Sequence, residues 1–313
     1  LYMRQKLGMA VYKRSRILSV LCVLGLLTPM VVRIPYAEGG VLVWLLDMVA
    51  HWQWLYAAGL LICAGFSGHY SRRWLLLLPL AGLPFFTASQ AAPATVTASY
   101  SNVGLSMRIV SANVHYGNVD PSQLSSWLTT VNPDVIVLIE VSPGFAQRLN
   151  LIAGYPFRVV VPRDDPFGMA VLSRLPLVSN ELIETPGTTP MLRLGFDLQG
   201  KTVLVTAFHP MPPISKEDQE NRNLSLWRET EFLKRSGHAG IIAGDFNATP
   251  WSNAFAGIDQ SIQRSCGLAP TWPALFGGWM GIPIDQVLIT HHWRSQGCQV
   301  GSDIGSDHLP VMT

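Results

Sequence analysis

Between Arg16 and Arg33, and again between Arg73 and Arg108, the chain carries no charged residue. Runs of that kind have to be withdrawn from water, into a protein core or into lipid. Three apolar stretches fill the first 92 residues. Ile17 to Val32 is slightly short of the ~20 residues that a membrane crossing needs, a deficit that flanking arginines make up by snorkelling. His51 to Ser71 is the second stretch and Trp74 to about Ala92 the third, with Pro79 and Pro84 tolerable inside a membrane helix. Val41 to Val49 is apolar but for Asp47 and reads as a short interfacial helix. Trp44, Trp52, Trp54 and Trp74 suit the headgroup belt. Residues 1–92 thus read as a membrane region of about three transmembrane helices. Two alternatives stay open. Lys13, Arg14 and Arg16 ahead of an apolar core resemble a secretory signal peptide, although more apolar runs follow. A buried helical hairpin of a soluble protein is the other, and the charge-free stretch after Arg73 argues against it.

Charge divides at the same place. Before Ala88, eight Lys/Arg face two Asp/Glu, a net of +6; from Ala88 onward fourteen face eighteen, a net of −4. Lys6, Lys13, Arg14 and Arg16 precede the first apolar run, and Arg72 and Arg73 separate the second from the third. Both groups belong on the cytoplasmic side. Three crossings then leave everything after about residue 92 outside the cytoplasm, in the periplasm if the cell has two membranes. The Ala/Thr/Ser-rich run Thr87 to Ser101 reads as a linker, set at 93–106 ahead of a domain at 107–313. Cys22 and Cys63 fall within the apolar runs as small apolar residues. Cys266 and Cys298 are the two in the soluble part: they form a disulfide in an oxidising compartment or remain free thiols.

The remainder alternates short strands with a few helices. Strands are expected at Met107–Val114, Asp134–Ile139, Phe157–Val161, Met169–Ser173, Leu192–Leu198, Thr202–Phe208, Ile241–Ala243, Ile284–Ile289 and near Leu309–Met312. Asp120-Pro121 and Ser142-Pro143 start helices, and Ser215 to Arg235 is the longest helix. Many short strands with few helices predict two stacked sheets with helices outside.

Polar residues recur where these strands end. Asn113 closes the first, Glu140 the second, and His209 follows Val203–Phe208. Gly244-Asp245-Phe246-Asn247 follows Ile241-Ile242-Ala243, and in extended chain Asp245 and Asn247 share one side of the backbone. Asp285 lies in the Ile284–Ile289 strand, and Ser306-Asp307-His308 precedes the last. Each alone is an ordinary turn, surface or satisfied core residue. Together and in this order they point to a hydrolytic site.

The motifs Ser111-Ala112-Asn113, Leu138-Ile139-Glu140, Phe208-His209-Pro210, Gly244-Asp245-Phe246-Asn247, Ile284-Asp285-Gln286-Val287 and Gly305-Ser306-Asp307-His308-Leu309-Pro310 resemble those of the endonuclease/exonuclease/phosphatase superfamily. Val171 to Pro176 adds a similar strand and turn. Arg222-Asn223 and Pro270-Thr271-Trp272-Pro273 resemble bacterial members with a membrane-spanning N-terminus. The resemblance runs from Met107 onward. It implies a four-layer α/β/β/α sandwich of the DNase I-like type, an α/β fold preceded by an α-helical transmembrane segment.

The same resemblance implies roles. Glu140 would be the principal ligand of a divalent metal, with Asn113 and Asp307 completing or orienting its water shell. Asp245 would position or deprotonate the attacking water and Asn247 support the phosphoryl oxygens or leaving group. His308 would meet the phosphate, held by Asp285, and His209 would contact it from the other side. Oxygen ligands without cysteine favour Mg2+ or Mn2+ over zinc.

Substrate is less constrained. A net-acidic domain without a Lys/Arg run speaks against duplex nucleic acid, whose backbone calls for a basic face. Trp251, Trp272 and Trp279 follow the Asp-x-Asn motif and could enter a bilayer, stack on a base or sugar, or belong to the core. The expected substrate is a phosphoester borne by a lipid, a nucleic acid or a small molecule, with a lipid bilayer bound through the N-terminal helices. No protein partner is inferable. A membrane-tethered binding domain that keeps the fold without activity is the alternative.

Overall fold

The computed structural model describes residues 2–33, 40–89 and 104–313, with side chains from residue 8 onward. Residues 93–103 of the expected linker lie outside the described residues, as does the side chain of Lys6. The chain divides into two compact units. One comprises the described residues up to Ser89 together with Pro250–Gly257; the other holds the remainder from Gly104 onward.

The first unit is helical. It contains α1 (Tyr2–Val32), α2 (Val41–Ala50), α3 (Gln53–Tyr70), a 3-10 segment Arg72–Gly82 and α4 (Leu83–Thr87). Leu26, Ala57, Leu60 and Ala64 make its small core. Gly25 permits the contact between α1 and α3, since a Cβ there would stand 2.7 Å from the Tyr56 ring. Much of the remaining apolar surface is exposed, including Leu21, Leu24, Met30, Leu42, Ile62 and Leu76. Gly8–Val32 is long and apolar enough to cross a membrane, and α2 with α3, bent by 62° where they meet, would make a second crossing if taken as one span. The third apolar run differs from the expected helical pass. Pro79 lacks the amide an α-helix uses at that point, and the run is a 3-10 segment followed by five α-helical residues.

Pro250–Gly257 belongs to this unit through specific polar contacts. The buried Asp47 of α2 accepts hydrogen bonds from Ser252 Oγ (3.1 Å) and Asn253 N (2.8 Å). Trp251 is fully buried, donates to the Pro84 carbonyl (2.9 Å) and meets Trp54 edge-on at 5.5 Å. Its indole is thus a core group here.

The second unit has two six-stranded sheets. The first runs, in spatial order, β11 (Gln299–Val300), β12 (Val311–Met312), β1 (Ile109–Asn113), β2 (Val135–Ile139), β4 (Met169–Ser173) and β3 (Phe157–Val161). The second runs β5 (Leu177–Ile183), β6 (Met191–Leu198), β7 (Lys201–Phe208), β8 (Ala239–Asp245), β10 (Asp285–Thr290) and β9 (Ile262–Arg264). Among the described residues, β1/β2 and β7/β8 are the pairs that run in parallel. A parallel pair needs a crossover, and α5 (Ser122–Val131) and α7 (Lys216–Ser236) lie in the two crossovers, with α6 (Pro143–Ala146) following β2.

Alternation along the strands sorts the apolar residues into layers. Ile109, Val135, Val137 and Val171 of the first sheet meet Leu192, Leu194, Val205, Ile241 and Val287 of the second. Val110, Ala112, Ile136 and Leu138 face the other way, under Leu124, Leu128 and Phe145. Burial on both faces is why β2 reads as an unbroken apolar run. Leu233 of α7 closes over Gly240 of β8 on the far side of the second sheet. The result is an α/β/β/α sandwich. Cys266 and Cys298 are joined as a disulfide.

Candidate active site

Strand register brings the polar ends level. Asn113 pairs with Ile139 in the parallel β1/β2 ladder, so Glu140 emerges beside Asn113. Phe208 pairs with Gly244 in the parallel β7/β8 ladder, which sets His209 beside Asp245. Asp245 faces Asp285 across the antiparallel β8/β10 pair. Gly244 is needed at this crossing because a Cβ there would lie 1.9 Å from the Phe208 carbonyl oxygen.

Asn113 joins the two sheets. Its Nδ2 donates to Glu140 Oε1 (2.8 Å) and, at 3.4 Å, to Asp245 Oδ2, while its Oδ1 accepts from His115 N (2.9 Å). Glu140 has left-handed backbone (φ 65°), turning its side chain out of the strand end. Its second oxygen accepts from Tyr116 N at 2.8 Å. The side chain keeps 16% of its surface exposed, against 3% for Asp245.

Two buried imidazoles flank Asp245. His209 Nε2 and His308 Nε2 each stand 3.7 Å from Asp245 Oδ2, and His209 Nε2 is 3.9 Å from Glu140 Oε1. Their protonation states differ. Burial and the nearby His308 push the His209 pKa down to about 3. His209 is therefore neutral, and since Nδ1 meets a carbonyl, that of Pro166 at 3.1 Å, the proton resides on Nδ1. For His308 burial acts downward, but Asp285 and Asp245 outweigh it and raise the pKa to about 10. Its Nδ1 lies 2.9 Å from Asp285 Oδ2. Asp285 in turn is held by its own amide donating to Thr271 Oγ1 at 3.2 Å. Burial raises the Asp245 pKa to about 7, with Asp285 and Glu140 adding to the rise and His308 opposing it.

Asn247 follows a tight turn (φ 47°) in which its amide donates to Asp245 Oδ1 (2.8 Å) and its Nδ2 to the Pro210 carbonyl (3.0 Å). The buried Arg222 of α7 donates to the Asn247 carbonyl (2.7 Å). Arg222 also lines a cleft of about 190 Å3 with Thr188, Thr189, Asn221 and Ser225. Asp307 stands apart from the Glu140 group in its contacts: it accepts from Trp272 Nε1 (3.1 Å) and pairs with His115 Nδ1 (3.1 Å). Five of the eight expected residues, Asn113, Glu140, His209, Asp245 and His308, thus form one chain of contacts, Asp285 and Asn247 support it, and Asp307 joins at the rim.

Sequence reasoning missed His115, Tyr116 and Pro166. All three act through backbone, as the His115 and Tyr116 amides and the Pro166 carbonyl, with the His115 ring adding its contact to Asp307, and a backbone contact leaves no residue-type signal. Among the described residues no group of three or more His, Cys, Asp or Glu side chains is arranged to enclose a metal ion.

Two mixed sheets between helices, with carboxylates, amides and imidazoles gathered where the strands end, define a DNase I-like sandwich. The chain belongs to the Endonuclease/Exonuclease/phosphatase family, which it matches over residues 110–308. No curated protein matches it in sequence. Solved structures share the fold. A D. rerio TDP2 humanized by 14 mutations is 18% identical, with 66% of this chain and 97% of that one covered at a TM-score of 0.55. The D. rerio TDP2 complexed with single strand DNA product is 18% identical over 66% and 97% of the chains, with a TM-score of 0.52. A mannosyl-6-phosphatase of Bacteroides thetaiotaomicron is 16% identical over 66% and 98%, with a TM-score of 0.56.

Proposed function

We propose that the protein is a membrane-anchored phosphoesterase, dependent on a divalent metal and hydrolysing a phosphodiester or phosphomonoester. The observation that carries this reading is the continuous contact chain from Glu140 through Asn113 and Asp245 to the two histidines. Family membership supports the reaction class. The apolar Gly8–Val32 helix supports the anchor, and the basic residues before it together with the Cys266–Cys298 disulfide support an extracytoplasmic sandwich.

The donor set fits Mg2+ or Mn2+. These ions keep several waters and take one or two carboxylates rather than a full protein cage. Glu140 is the partly exposed carboxylate of the cluster, and each of its oxygens accepts one hydrogen bond and has a lone pair to spare. Glu140 would hold the ion, with Asn113 and Asp307 orienting its waters. When bound, the ion supplies positive charge that screens an anionic phosphoester from its nucleophile.

The remaining steps fall to the chain's own groups. Asp245, fixed by the Asn247 amide, orients the attacking water and takes its proton; a base with a pKa near the working pH is suited to that transfer. His308, positive and held by Asp285, donates from Nε2 to the phosphoryl oxygens as their charge grows. His209, neutral with its proton turned to Pro166, presents a bare Nε2 that accepts a hydrogen bond on the opposite side. Asn247 supports the phosphoryl oxygens or the leaving group.

Hydrolysis of bis-p-nitrophenyl phosphate by the full chain, with and without EDTA, tests the proposal. Turnover that EDTA abolishes and Mg2+ or Mn2+ restores is the expected result. A folded protein that turns over neither this diester nor the monoester p-nitrophenyl phosphate under any metal is a tethered binding domain instead.

A further inference from the structure

Resting on that reading, we infer that the loop Leu275–Met280 enters the lipid bilayer beside the active site and that the phosphoester substrate is carried by a bilayer lipid. Four of these six residues project large apolar side chains into solvent: Leu275 is 67% exposed, Phe276 90%, Trp279 80% and Met280 77%. The chain from Ser265 to Ile284 contains no charged residue, so no charge in this stretch has to be desolvated on entering lipid. Tryptophan settles at the depth of the headgroups, and phenylalanine and leucine supply the apolar face of segments that lie in the interface.

The loop is rigidly built. Its base is closed by the Trp272/Ile282 bridge, with Trp272 N to Ile282 O at 3.1 Å and Ile282 N to Trp272 O at 2.6 Å. Inside, Gly277 and Gly278 donate to the Ala274 carbonyl and Gly281 to that of Gly278. Left-handed backbone at Phe276, Gly277, Gly278 and Met280 turns the side chains outward. Gly278 and Gly281 have no room for a Cβ, which would approach the carbonyl oxygens of Pro270 and Trp272 to 2.9 and 2.6 Å. A preformed loop loses little conformational entropy on insertion. An apolar surface this exposed on a rigid support marks an interaction site.

The loop is also bound to the catalytic groups. Ala274 N donates to the Asp307 carbonyl (2.7 Å), Trp272 Nε1 donates to Asp307 Oδ2, and the Trp272 ring lies 6.3 Å from that of His308. What Phe276 and Trp279 touch is therefore presented to His308. The bilayer is the occupant this chain itself implies, through the Gly8–Val32 helix and the apolar exterior of the helical unit.

The test uses the full chain in phosphatidylcholine nanodiscs. In a Cys22→Ser, Cys63→Ser background, Phe276→Cys labelled with an NBD fluorophore should be quenched by doxyl-labelled lipid, whereas the same label at the exposed Asp303→Cys should not. Unquenched fluorescence at position 276 overturns the docking, and capture of a protein at an unquenched loop would assign it to that partner. Turnover is followed on soluble bis-p-nitrophenyl phosphate and on hexadecyl p-nitrophenyl phosphate held in the nanodisc. Phe276→Ser with Trp279→Ser should slow the anchored ester about tenfold or more, since both residues contribute apolar area to bilayer binding, and leave the soluble ester unchanged. Equal effects on the two esters overturn the lipid substrate. If the unaltered protein hydrolyses neither ester nor p-nitrophenyl phosphate, the phosphoesterase reading fails while the quenching still decides the docking.

Discussion

His308 Nδ1 and Asp285 Oδ2 lie 2.9 Å apart in a pair that the fold seals from water, Asp285 on a strand and His308 on the segment leading to β12. A carboxylate at that distance fixes which imidazole nitrogen faces the phosphate and keeps the ring protonated. Asp285→Asn preserves the shape and removes the charge. We expect kcat to fall by about 10²-fold or more, KM to change little and the circular dichroism spectrum to stay as it was. An unchanged kcat would show that His308 needs no carboxylate behind it.

Glu140 offers the sharper test of metal dependence. Glu140→Gln keeps an acceptor for the Tyr116 amide but loses the negative charge. Activity should fall by about 10²-fold or more, and a titration with Mg2+ should show weaker binding. Glu140→Ala with His308→Ala should be inactive yet folded. Turnover like that of the unaltered protein from the double variant would end the assignment.

Most strands were legible because burial writes itself into the sequence. Met169–Ser173, buried throughout, is a strand with the bounds its apolar run predicts, while Phe157–Val161, only half-buried, has the bounds its β-branched residues predict. The missed strands are those that burial does not mark. β5 carries Ser179, Asn180 and Glu181 on a mostly exposed edge, and β9 and β11 are three and two residues long. In the helical unit apolarity marked the elements without fixing their type, so the run from Trp74 gave no warning of its 3-10 geometry beyond Pro79. Site residues at strand ends were legible as residue types. Their grouping required the register that pairs Asp245 with Asp285 and Phe208 with Gly244, which no local pattern contains.

Gly244 is the structural element most sensitive to change in the Gly-Asp-Phe-Asn motif. A methyl group at this position meets the backbone of β7 at Phe208, and a carbonyl oxygen cannot move aside as a side chain end can. Gly244→Ala should force β7 and β8 apart, costing about 1–3 kcal/mol or more. It should also displace His209 relative to Asp245. Urea unfolding measures the first and kcat the second. A variant with native stability would show that the two strands have slack.

In the helical unit, Asp47 is a buried carboxylate in an otherwise apolar helix and holds the Ser252 hydroxyl and the Asn253 amide. Asp47→Ala removes the acceptor that the buried Ser252 hydroxyl and the half-buried Asn253 amide use, at a cost of about 1–3 kcal/mol. Asp47→Asn keeps one acceptor oxygen and should cost less. Thermal unfolding in detergent should therefore rank the unaltered protein above Asn and Asn above Ala. Ala at least as stable as Asn would remove Asp47 from the contacts that hold this segment.

Asp165 provides a pH dependence outside the catalytic cluster. The Arg163 guanidinium, donating to both its oxygens, holds its pKa below the ordinary carboxylate value, with the Phe167 amide assisting and burial opposing. A folded-state pKa below the unfolded one means that the unfolded chain takes up the proton first as pH falls. The contribution is thus fully present above the ordinary carboxylate pKa and is lost as pH drops through the lower, folded-state value. Asp165→Asn should be slightly less stable than the unaltered protein at pH 7, and the gap should close at strongly acid pH. It should be small, because both side chains are more than a third exposed and solvent screens the pair. Urea unfolding of both proteins at neutral and acid pH measures the gap, and one that widens as pH falls would reverse the assigned direction of the shift.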